Sequence, residues 1–182
     1  MNKSQRAAAI VLTVCCAWLA AMPASARPWK PTPVKMAQDY LLIQDDRGHG
    51  EMVMVVWFAP KMAGQEAPAA GVLDKYVVLA VVHGRPGMGG LVFDEVKDLA
   101  VKDNDGDPLK PIAEKDIPSD LAPFLMTVAM IYKSSLGALG QGIHFFVFEP
   151  GKVHSCQKGG LSLDFAGETY TFDTPIPGCD GK

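Results

Sequence analysis

Charge is what this 182-residue chain has little of: only 20% of its residues are Asp, Glu, Lys or Arg. The 17 basic and 20 acidic residues leave a formal charge of −3, and no Lys/Arg cluster stands out. That argues against a nucleic-acid partner, whose phosphates call for a basic face, and against an anionic membrane surface. Cysteine is also scarce. There are four, and none forms a C-x-x-C pair with further ligands nearby, the spacing a zinc site uses. No phosphate-cradling G-x-x-x-x-G-K-[ST] and no G-x-S-x-G nucleophile elbow occurs. Internal repeats and low-complexity stretches are missing too. No cofactor motif is present, so none is expected.

The most telling positive feature is the first 26 residues. Lys3 and Arg6 give a short basic start, and an apolar run over residues 7–22 follows. Pro23 breaks that run before Ala24-Ser25-Ala26. Basic, apolar and small-x-small parts in that order make a secretory signal peptide. Cleavage is expected between Ala26 and Arg27. The apolar run is shorter than the ~20 residues a membrane span needs, so no stable span is expected after cleavage. Lipidation at Cys15 or Cys16 fits poorly, because the apolar run continues past both. The expected location is periplasmic or secreted. Cleavage removes two basic residues and no acidic one, leaving 156 residues of formal charge −5.

Such a length builds one domain with its own core. Cys156 and Cys179 are the cysteines that remain, and in an exported chain they are expected to form one disulfide. Residues 27–38 contain Pro28, Pro31 and Pro33 and read as an extended leader. Residues 39–182 read as the domain. Strands are expected at 39–44, 51–59, 75–83, 91–103, 108–112 and 143–149, with a hairpin over 161–165 and 168–172. In the 51–59 strand, Met52, Met54, Val56 and Phe58 share one face, and Val53, Val55 and Trp57 share the other. This strand and 75–83 are apolar on both faces, which places them centrally, covered on each side. Helical spacing of Leu121, Phe124, Leu125, Val128, Ile131, Tyr132 and Leu136 predicts one helix near 119–136, with Leu121, Phe124, Leu125, Val128 and Ile131 inward and Lys133 on the wet side. The fold class expected is mainly β: an antiparallel β-sandwich, Ig-like or a partly open barrel, with one packed α-helix.

Three segments invite a chemical reading. Asp103, Asp105, Asp107 and Glu114 echo the oxygen spacing of a calcium loop, but the sixth position is Pro108 where a glycine turn is required. A polar turn is the better account. Residues 84–90 form a glycine-rich loop after a buried strand, without the following helix that a phosphate site uses. Met and His suit copper, which singles out His83, Met88, Met52 and Met54 as weak metal candidates; they converge only if their strands are neighbours. Met also fills cores, which is the preferred reading. The helix, uncharged from Leu121 to Tyr132, could act as a lid over an apolar ligand, or simply fill the end of the fold. With no catalytic constellation, the function expected is non-catalytic: an exported binding or assembly accessory. It would contact an envelope protein through a sheet edge near the Ile143 strand or the C-terminal hairpin. The alternatives are an apolar small-ligand carrier with a helical lid, or a copper-handling periplasmic protein.

Overall fold

Strand β2 (Met52–Trp57) and strand β3 (Val77–Gly87) form the centre of the molecule. Both are rich in β-branched residues, which suit a pleated surface. They pair antiparallel from Met52 opposite Gly84 to Trp57 opposite Leu79. Alternation then sends successive side chains to opposite faces. Val53, Val55, Trp57, Leu79 and Val81 enter one buried cluster. Val56, Phe58, Val78 and Ala80 enter another. The two-faced burial expected from the sequence is present.

A computed structural model describes residues 37–63, 68–156 and 160–176. A single π-helical turn over Ala37–Leu41 leads into β1 (Leu42–Asp46), which pairs with β2. On the other side of β3 lie β4 (Gly90–Phe93) and β7 (His144–Phe148), end to end. A two-residue β6 (Pro111–Ile112) flanks β7. This sheet has six strands. A second sheet of three strands contains β5 (Ala100–Lys102), β8 (Ser162–Phe165) and β9 (Glu168–Thr171), in the order β5-β8-β9. All pairings are antiparallel, and no closed barrel forms among the described residues. Val101, Leu161, Leu163, Tyr170 and Phe172 from the second sheet and its flanks share the cluster of Val53 and Leu79. The expected hairpin near the C-terminus is β8–β9, turning through Ala166 and Gly167.

Helices cover the opposite face. Helix α1 (Pro68–Leu73) falls in the stretch whose composition reads as a loop. Helix α2 (Ala122–Ser135) occupies the site of the expected helix, and a short α3 (Ala138–Gln141) follows it. Pro123 sits in the first turn of α2, where no intrahelical amide bond is lost. Leu121 and Leu125 are buried against Phe58, Val78 and Val147. Phe124, Val128 and Tyr132 are half-buried beside them. Ile131 departs from expectation: it is 51% exposed, with Met126 and Met130 more exposed still. The helix is apolar nearly all round, but the sheet receives only one side of it.

The glycine-rich stretch 84–90 also departs from expectation. Its first half continues β3, and the whole is a hairpin reaching past the end of β2. A Cβ on Gly84 would sit 2.4 Å from Leu91, and one on Gly87 would sit 2.4 Å from Val92. These glycines leave room for side chains of the neighbouring strand.

Candidate functional site

A large recess lies along β7. Strand β6 pairs only with Phe148 and Val147 and then departs into a helical turn over Glu114–Asp116. The amide of Glu149 donates to the Lys110 carbonyl at 3.0 Å, so Glu149 faces β6. By strand alternation, Val147 and Phe145 direct their N–H and C=O groups to the same side. Opposite Phe145 no strand remains among the described residues. The first half of β7 therefore has an open edge.

That edge lies in a groove of about 740 Å³ that is partly open to solvent. One wall is the segment Glu95, Val96 and Lys97, which leaves the end of β4. Leu125, Met126 and Ala129 of α2 form the other, and Ile112, Glu114 and Ile117 close one end. Gly142 precedes the strand, and a Cβ there would sit 2.3 Å from the Phe93 ring. Only glycine lets the backbone before β7 come so close to the Phe93 ring of β4. Lys97 pairs with Glu95 at 3.4 Å, and both are well exposed.

A polar cluster occupies the far end of β2 and β3. His83 has Nε2 at 2.9 Å from Glu51 and Nδ1 at 3.2 Å from Asp94, with the Phe165 ring edge-on beside it. The hydrogen bond from His83, assisted by Arg47, holds the Glu51 carboxyl below its usual range. Arg85 grips Asp94 with two parallel bonds and lowers that carboxyl likewise. Arg47 also donates to the Ala166 carbonyl at 2.7 Å, tying the β1–β2 turn to the β8–β9 turn. Every charge here meets an opposite one, which is the pattern of a clasp between sheets.

The metal candidates do not gather. Val53 lies opposite His83 and Met52 opposite Gly84, so His83 faces the second sheet while Met52 and Met54 face the other way. Met88 is fully exposed at the hairpin tip. Among the described residues, no group of three or more His, Cys, Asp or Glu side chains is placed to hold a metal ion. The acidic run 103–107 is a turn. Asp103 is buried, and its carboxylate accepts the amides of Asp105, Asp107 and Lys152, each at 3.0 Å. Its oxygens are thus already engaged by the backbone. Ala26, Arg27, Cys179 and residues 27–36 of the leader lie outside the described residues, so cleavage and the Cys156 pairing stand as expectations.

Sequence reasoning pointed to the edge near Ile143 but not to its groove. The walls come from residues 95–97 and 125–129, which only the tertiary fold brings to β7. Among the described residues, no helix is long and apolar enough to cross a membrane. No protein-family model, curated protein or solved structure matches the chain.

Proposed function

We propose that this chain is an exported, periplasmic binding or assembly accessory, without catalytic activity, that takes an extended segment of an envelope protein along the open half of β7. The two packed sheets then serve as an open sandwich whose edge does the binding. One observation carries the reading: the unpaired Phe145 edge at the floor of a groove. A backbone donor and acceptor at a recess floor call for the same groups in return. An added strand supplies them and places alternate side chains against α2. An alkyl ligand would cover Val96, Leu125, Met126 and Ala129 but leave the Phe145 N–H and C=O unmet.

A photo-crosslinking residue at Ala129, introduced in producing cells, tests this. The adduct should map to one extended segment of an envelope protein. A synthetic peptide of that segment should then slow hydrogen exchange at the Phe145 amide. Ala129→Trp should fill the groove and abolish both effects without lowering stability. A fluorescent fatty-acid probe that binds in the groove while the Phe145 amide still exchanges would replace the accessory reading with the apolar carrier. Absence of any peptide effect on Phe145 would sink strand addition.

A further inference from the structure

Open sheet edges are hazards, and proteins blunt them with charge, proline or cover. Nearly every open edge described here is blunted. Strand β1 carries Asp45 and Asp46, and β9 carries Glu168. Pro111 stands in β6, and Pro108 bridges the edge of β5 at Lys102. The open half of β7 is recessed between α2 and residues 95–97. Where β3 outruns β2, its free side holds Arg85 and Pro86.

Strand β4 is different. Gly90, Leu91, Val92 and Phe93 contain no charge and no proline. Their one described strand partner is β3, which leaves the outer edge open. The strand is not hidden: Leu91 is 40% and Val92 54% exposed, and Met88 at the tip is wholly so. Nor is the hairpin loose. The paired bonds from Arg85 to Asp94 fasten its base, and the Asp94 amide donates to the His83 carbonyl at 2.9 Å.

We infer that β4 is a self-association edge, where two copies of this chain pair β4 to β4, antiparallel across a two-fold axis, into one continuous sheet. Charge decides for a second copy over an unlike partner. A two-fold axis sets residue i against j and j against i, and a residue on the axis meets its own twin. Leu91 and Phe93 turn their N–H and C=O groups away from β3, so Val92 takes the axis, where a charge would meet its like. The uncharged β4 meets no such repulsion, and it offers an unlike protein no ionic group to recognise. Leu91, Val92 and Met88 supply the apolar surface covered on pairing. A four-residue strand makes a small interface, so the dimer should form reversibly with concentration.

Analytical ultracentrifugation over a wide dilution series tests this on the purified protein. A reversible monomer–dimer equilibrium is expected, and Val92→Lys should shift it to monomer by placing like charges across the axis. Gln44→Lys, at the guarded β1 edge, should leave it unchanged. Hydrogen exchange gives a second readout that needs no variant: amides of residues 90–93 should exchange more slowly as concentration rises. A monomer at every concentration would overturn the inference. So would a dimer indifferent to Val92→Lys, or one whose exchange protection falls elsewhere.

Discussion

Asp103 is the buried charged side chain among the described residues, and it is buried because three backbone amides surround it. Those bonds, led by the one from Lys152, hold its carboxyl below the usual range. A lowered carboxyl favours folding above its unfolded pKa, and the benefit disappears as pH falls through the folded value. Asp103→Asn, of similar size, loses the charge and offers one acceptor where the turn uses two oxygens. Thermal melts across a pH series should show the variant less stable than wild type at neutral pH, with the gap closing in acid. A gap independent of pH would contradict this account. Tyr170 acts at the other end of the scale. Burial first, then its hydrogen bond to Asp45, pushes the phenol up to about 12. Its contribution is whole below the ordinary tyrosine value near 10 and is lost as pH rises through about 12. Tyr170→Phe should flatten that alkaline limb, and melts between those limits would read it.

Among the elements, α2 separates burial from hydropathy most sharply. Phe58 is 4% exposed and meets Phe124 edge-on at 5.7 Å, whereas Phe124 itself is only half-buried. Phe58→Ala should cost about 3–5 kcal/mol in chemical denaturation. Phe124→Ala should cost less, and Ile131→Ala close to nothing. Equal losses at Phe124 and Ile131 would mean that the outer face of α2 is covered in solution. The sequence makes the strands legible where period-2 alternation is strong. The faces of β2 follow its apolar order residue by residue, and the β8–β9 hairpin follows from its turn. Ile131 was not legible in this way, because an all-apolar helix carries no polar stripe to say which side faces the sheet. The 84–90 stretch was not either. Its glycines resemble a loop in composition, yet Gly84 and Gly87 are small so that Leu91 and Val92 fit against them. That requirement comes from the partner strand and appears only once the pairing is known. The groove combines both problems: its floor is a local strand, but its openness depends on where β6 leaves.

For the whole molecule, what matters is how the chain after β9 is fastened. Past that strand the Phe172 amide bonds to the Leu161 carbonyl, and the Ile176 amide bonds to the Ser155 carbonyl at 3.0 Å. Ile176 is itself buried in the core shared by the two sheets. Residue 176 is thus anchored beside residue 155, next to Cys156. Cys179 lies three residues further along, and three residues span at most ~10 Å of chain. That is ample for a disulfide, which brings Cα atoms to roughly 5–6 Å. The bond proposed between Cys156 and Cys179 would close a loop that contains the β8–β9 hairpin. It would fix the second sheet to the loop after β7. Loops of this size are stabilised by about 3 kcal/mol through restriction of the unfolded chain. Intact-mass analysis after alkylation under denaturing, non-reducing conditions should find neither cysteine modified, and the same mass should place the N-terminus at Arg27. Reduction should then lower the melting temperature while leaving β2 and β3, whose pairing is independent of that loop, slowest to exchange. Two alkylated cysteines before reduction would remove the bond from this account and leave the Ile176 anchor as the fastening of the C-terminal segment.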